Sequence, residues 1–299
     1  MDIRKLNLSV GWMVADYLNE NPCAITPELM AEVLPEGAGS ETETLVYRAL
    51  LGGFFGIDPD SSEEDRFIDE SYLKPGLKRL DTAQWLDNPY YKNINIESVA
   101  KDGWKLAWQE YKPYELFLRD DIFLTDDLRQ IPAIGYFAEP FRFPSVFQDG
   151  REWMSIKPSE IASSQSAVDA AGGRVLTFGL GLGYFAYMAA RKPEVSSVTV
   201  VELDSAAITL FKTKILPQIP ERDKITVLQC DAFDYLEHQM MPGMFDFAFM
   251  DIWHDISDGA PLYVRAKQYE PRFPGTRFTY WIERSIRCSL INQLENLSH

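Results

Sequence analysis

The chain has 299 residues, with 29 Lys+Arg against 45 Asp+Glu and a formal net charge of −16. A hydrophobic share of 46% with 13% aromatics excludes a disordered chain, and the length suffices for one large or two smaller cores. The acid excess argues against tight binding to phosphate backbones, so no nucleic-acid partner is expected.

The charge is uneven. Residues 1–130 carry 25 acids and 13 bases, and residues 131–299 carry 20 and 16. Cys23, Cys230 and Cys288 are too few and too scattered for a disulfide framework or a zinc motif. His238, His254 and His299 have no ligand spacing, so no metal is expected. The opening Met1-Asp2-Ile3-Arg4-Lys5 leads into no apolar signal core, and no apolar run reaches membrane-spanning length. These features predict a cytoplasmic protein without a membrane partner. Self-association stays open.

Residues 1–130 read as a helical accessory domain. Thr26-Pro27 is a helix start, with a capping Thr and Pro in the first turn. Leu45, Val46, Leu50, Leu51 and Phe54 form an apolar face at helical spacing. The stretch from Ile96 to Asp120 is also expected to be helical, divided at Pro113. Residues 131–157 read as a β-hairpin connector: Phe141, Phe143, Val146 and Phe147 are strand formers, Asp149-Gly150 is a turn signal, and Trp153–Ile156 returns.

Residues 158–299 alternate strand and helix, the pattern of a mostly parallel α/β sheet. Strands are expected at Val175–Phe178, Val198–Val201, Ile225–Leu228 and Phe245–Met250. Helices are expected at Tyr184–Arg191, Ser205–Ile215 and Ala232–Gln239. After residue 251 only helix is expected, with Trp281, Ile286 and Leu290 on its apolar face.

Four signals fall where strands end. Gly179-Leu180-Gly181-Leu182-Gly183 joins the first strand to a helix, and its glycines permit a tight turn and close approach to a ligand. Glu202 ends the second strand, where a carboxylate can accept the hydroxyls of a ribose. Asp204 is placed to cap the next helix. Asp231-Ala232 follows the third strand; Asp231 can cap a helix, accept from an adenine amino group, or do both. Asp251-Ile252-Trp253-His254-Asp255 follows the fourth. A dinucleotide fingerprint fits poorly: counted from Gly179, its last glycine falls on Tyr184, and counted from Gly181, on Ala186.

Strand–glycine turn–helix, strand–Glu202, strand–Asp231-Ala232 and strand–Asp251 together resemble the class I S-adenosylmethionine-dependent methyltransferases, over roughly residues 150–265. Phe147-Gln148-Asp149-Gly150 and the loop Asp251–Asp255 with Asp258–Tyr263 are similar to features of the spermidine-synthase-like branch. The resemblance implies a Rossmann-like methyltransferase core, shortened at its C-terminal end or completed from elsewhere. It implies S-adenosylmethionine as cofactor, with Gly179, Gly181 and Gly183 at its amino-acid part, Glu202 on the ribose, and Asp231 and Ala232 flanking the adenine. Asp251, His254 and Asp255 are then the candidates to orient the acceptor or take its proton.

There are departures. Thr177 stands where many methyltransferases carry an acid. Leu182 stands where the aminopropyltransferases have an acid that accommodates the decarboxylated cofactor, which leans towards ordinary S-adenosylmethionine. The expected function is methyl transfer to a small-molecule acceptor. The alternatives are an aminopropyl or alkyl transferase and a catalytically silent binding module. Cys230 is expected to be a buried core thiol.

Overall fold

The computed structural model describes residues 2–101 and 103–296; His299 lies outside the described residues. The chain divides into two compact units, residues 1–85 with 110–142, and residues 86–109 with 143–299. Residues 86–109, expected in the helical accessory domain, thus fall in the unit that holds the parallel sheet, and residues 110–142 in the other.

In the first unit, helices Ile3–Glu20, Pro27–Val33 and Ser40–Phe54 pack with a small sheet. Strand Ile134–Phe137 is central to that sheet, parallel to Leu77–Leu80 and antiparallel to Phe117–Leu118. Thr26 caps its helix as expected, accepting the Leu29 N–H at 3.2 Å. Val14, Met30, Tyr47, Leu51, Ile134 and Tyr136 share one core. There the Tyr47 and Tyr136 rings stack at 3.8 Å.

The expected helix between Ile96 and Asp120 is instead largely strand. β1 (Val99–Lys101) pairs antiparallel with β2 (Trp104–Tyr111). Trp104 and Leu106 are buried and Lys105 is exposed, so the segment has the two-residue period of a strand. Its aromatic residues suit a pleated surface. β3 (Phe141–Gln148) and β4 (Arg151–Ser155) form the expected hairpin. Asp149 and Gly150 both take positive φ in its turn, at 50° and 83°. These four strands make one sheet, β1-β2-β3-β4.

Two helices precede the core: the short α1 (Pro89–Asn93) and, after the hairpin, the longer α2 (Pro158–Ala170). The core is a five-stranded parallel sheet of β5 (Gly173–Phe178), β6 (Val195–Glu202), β7 (Ile225–Gln229), β8 (Phe247–Met250) and β9 (Arg277–Tyr280). Its order is β7-β6-β5-β8-β9. The first strand is thus central and the order reverses beside it, the Rossmann-like arrangement. Val175, Leu176, Phe178, Val198, Val200 and Val201 are all buried, as a sheet covered on both faces requires.

Helices α3 (Tyr184–Ala190), α4 (Ser205–Leu210) and α5 (Ala232–His238) follow the first three strands. After the fourth come α6 (Ile256–Lys267) and finally α7 (Glu283–Asn296). Two expectations are corrected here. A fifth strand exists beyond residue 251, pairing Phe247–Met250 with Arg277–Tyr280 in parallel. Its Phe-Thr-Tyr run is strand-prone, but at four residues it is too short for a clear period. Asp258–Tyr263, which the resemblance makes part of a gate loop, lies in the helix expected beyond residue 251, because Asp255 and Asp258 form a reciprocal capping box that starts α6.

No described helix is long and apolar enough to cross a membrane.

Candidate active site

All five parallel strands send their carboxyl ends to one cavity of about 570 Å³. Ligands of open α/β sheets bind at this edge, next to the reversal of strand order. The cavity is lined by Gly179, Leu180 and Gly181 after β5, Glu202 and Leu203 after β6, and Cys230 to Phe233 after β7. Asp251 to Asp255 follow β8, and Trp281 follows β9. The hairpin and α2 supply Arg151 to Ser155, Lys157 and Glu160.

The glycine turn is built from positive φ values that L side chains rarely adopt, 91° at Gly179 and 49° at Gly181. A Cβ on Gly179 would lie 1.9 Å from the Asp251 carbonyl oxygen, and one on Gly181 would lie 1.8 Å from Met154 Sδ. Gly183 does not line the cavity. It precedes α3 at φ 74°, and a Cβ there would meet the Phe211 ring at 2.2 Å, so its need for glycine is one of packing.

Glu202 reaches back across the turn. Its Oε2 accepts the Leu180 N–H at 3.0 Å and its Oε1 accepts the Asp204 N–H at 2.8 Å. Burial raises its pKa, against these backbone bonds. Asp204 caps α4 as expected, accepting from Ala206 and Ala207. Asp231 caps α5: Oδ1 accepts from Phe233 at 2.8 Å and from Asp234 at 3.0 Å. Ala232 is buried beside it.

The segment after β8 divides its labour. Asp251 faces the cavity, and its carboxyl is pushed well above the usual range by burial, then by the nearby charges of Glu160 and Glu202. Trp253 is buried, its ring 6.4 Å from that of Tyr280. His254 is exposed; its Nδ1 lies 3.1 Å from Asp258 Oδ2, and its ring meets Trp153 edge-on at 4.7 Å. The Asp255 carboxylate accepts from the Ser257 N–H and hydroxyl, which hold its pKa low. Asp255 lines the cavity, but its carboxylate is engaged in starting α6.

Several lining residues escaped the sequence reading. Glu160, in the first turn of α2, has its pKa raised to about 7, mainly by burial, with Lys157 opposing and Glu152 adding to the shift. Glu152 pairs with Lys157 at 3.1 Å and accepts from Gln109. Trp281 also lines the cavity and is fastened to α2, its Nε1 donating to Ser163 Oγ at 2.8 Å. A lone acid in a helix before the first strand carries no motif, so Glu160 had no local signal. Trp153 and Met154 were legible as strand but not as cavity wall. Cys230 is corrected: it is half-buried and lines the cavity, and its sulfur accepts from Gln239 at 3.2 Å.

Among the described residues, no cluster of His, Cys, Asp and Glu could hold a metal ion. For S-adenosylmethionine the donor set fits. Six lining carboxylates (Glu152, Glu160, Glu202, Asp231, Asp251, Asp255) face three lining cations (Arg151, Lys157, Arg265), which suits a sulfonium and an ammonium. The side-chain-free turn adds close backbone approach.

No family model matches this chain. No curated protein matches it. Among solved structures, a protein described as an O-methyltransferase from Klebsiella pneumoniae is similar at 22% identity, over 36% of this chain and 48% of that one, with a TM-score of 0.29. A precorrin 8W decarboxylase from Methanobacterium thermoautotrophicum is similar at 18% identity, over 36% and 53%, with a TM-score of 0.28. The matches thus span about half the length of each of those proteins. The description of the core as Rossmann-like stands on its own strand order and helix placement.

Proposed function

We propose that the second unit binds S-adenosylmethionine in this cavity and transfers its methyl group to a small acceptor. One observation carries the reading: the glycine turn, Glu202 and Asp231 reach the same cavity from three adjacent strand ends. In it Glu202 holds the ribose, Asp231 and Ala232 flank the adenine, and Gly179 and Gly181 leave room for the amino-acid part. The surplus of acids over bases in the lining favours this cationic cofactor over an anionic dinucleotide.

When bound, the cofactor supplies an electrophilic methyl carbon and leaves as a neutral thioether. The protein therefore has to align the acceptor and take up its proton. Asp251 and Glu160 are the carboxyls disposed for that, since both line the cavity and both hold protons more tightly than ordinary acids. His254 stands at the mouth, oriented by Asp258. A second reading, alkyl transfer to an amine, is favoured by the same two acids, which are placed to take the proton an ammonium acceptor must lose. The buried Leu182 supplies no acid for a decarboxylated cofactor.

The test is calorimetric titration with S-adenosylmethionine and S-adenosylhomocysteine. Micromolar binding at one site per chain is expected, and no heat from either in the folded protein would overturn the reading.

A further inference from the structure

We infer that Tyr90 is a positioning residue for the glycine turn, holding the backbone that the cavity presents to its ligand. Its part in ligand binding rests on the function proposed above.

Tyr90 is fully buried on α1, 92 residues before its partner. Its hydroxyl donates to the Leu182 carbonyl at 2.7 Å. The N–H of the same Leu182 donates to Met154 Sδ at 3.1 Å. Both polar groups of one turn residue are thus held by side chains from outside the turn. At the other end, Glu202 takes the Leu180 N–H. Gly183 N–H closes the turn on the Leu180 carbonyl at 2.7 Å.

A turn with three glycines at positive φ has many alternative conformations, so external contacts must select one. Tyr90 is well placed to do so, because its own position is fixed. Asn88 caps α1 by accepting the Tyr90 N–H at 2.9 Å, while its amide donates to Tyr184 OH at 3.0 Å. Asn93 donates to Tyr187 OH at 2.8 Å. The Tyr90 ring packs against both tyrosines, with centroids 5.8 and 6.0 Å away. The segment 88–93 is thereby fastened to the first turns of α3. Burial holds the Tyr90 phenol above its usual pKa, so it remains a donor.

Gly179, Leu180 and Gly181 line the cavity, whereas Tyr90 and Leu182 do not. Tyr90 therefore acts through the turn and not on the ligand. Amide exchange of the free protein separates this role from general stability, and it does not depend on which ligand binds.

The experiment compares the full-length chain with Tyr90→Phe, by amide hydrogen exchange without ligand and by titration with S-adenosylhomocysteine. Exchange at Leu180, Leu182 and Gly183 is expected to quicken by about tenfold, the scale of one lost hydrogen bond, while Val175–Phe178 stays unchanged. Affinity for S-adenosylhomocysteine is expected to fall by about five- to tenfold. Unchanged turn exchange, or an equal rise throughout the sheet, would overturn the positioning role. Faster turn exchange with unchanged affinity would overturn its part in binding. If the unmutated chain binds no S-adenosylhomocysteine, the proposed function falls, and the exchange result decides the positioning role. Should Tyr90→Phe fail to fold, Asn88→Ala removes the cap that fixes Tyr90 without touching the turn, and unchanged exchange at the same amides would overturn the positioning role.

Discussion

The Glu202 carboxylate accepts the Leu180 N–H at 3.0 Å, so the acid ending the second strand is tied to the glycine turn that ends the first. Its other oxygen accepts from Asp204. A carboxylate has about four acceptor positions, so these backbone bonds still leave it capacity for a ribose hydroxyl. Turn and acid are therefore one structural unit, and a change in either alters the other.

Glu202→Ala is accordingly expected to weaken S-adenosylmethionine binding by about 1–3 kcal/mol and also to lower Tm, because the Leu180 N–H loses its acceptor. Glu202→Gln keeps an acceptor without the charge and should fall between. Calorimetry and thermal melts on both variants check this. Unchanged affinity in a folded Glu202→Ala protein would remove the ribose contact from the account.

Asp231 serves as a helix cap and as the proposed adenine contact, and one substitution separates the two. Serine caps helices as well as aspartate does, so Asp231→Ser should leave Tm nearly unchanged. It should still reduce cofactor affinity, because the shorter side chain loses its reach. Asp231→Ala should cost about 1 kcal/mol of stability as well. Equal affinity for Asp231→Ser and the unmutated chain would make Asp231 a cap alone.

Glu160 makes a pH prediction with a definite sign. Its folded pKa, about 7, lies above the ordinary 4.5. Between those values the folded chain holds a proton that the unfolded chain has released, so this group's contribution to stability falls as pH rises through that window. The contribution is present in full below about 4.5 and is lost above about 7. Glu160→Gln should flatten this part of the pH–stability curve, measured by urea denaturation at a series of pH values. A variant with the same slope would show that Glu160 titrates normally.

Much of the core was legible because its strands are short, buried, β-branched runs separated by helix caps. Val175–Phe178, Val198–Val201 and Ile225–Leu228 all fall within observed strands. Asp204 and Asp231 cap the helices that follow. The hairpin was legible from Asp149-Gly150, where two successive positive φ values are needed. The Trp104–Tyr111 strand was misread because Trp, Leu and Tyr also fit a helical face, and only burial reveals the two-residue period. The start of α6 is not legible in the sequence, because the reciprocal bond between Asp255 and Asp258 that nucleates it needs geometry to be seen.

The site was legible at its strand ends and opaque elsewhere. Strand ends announce themselves through the glycine turn and the acids that follow apolar runs. Glu160, Trp281 and Tyr90 reach the site or its turn only through tertiary packing, over separations that leave no local pattern. The acid surplus of the cavity was likewise invisible, since it is assembled from the hairpin, α2 and three strand ends.

The most direct measurement is parallel calorimetric titration of the purified chain with S-adenosylmethionine, S-adenosylhomocysteine, decarboxylated S-adenosylmethionine and NAD. The account predicts micromolar binding of the first two, weaker binding of the third and none of the fourth. Preference for the decarboxylated form would shift the reaction to alkyl transfer onto amines. Tight binding of NAD, or silence from all four in a folded protein, would contradict it.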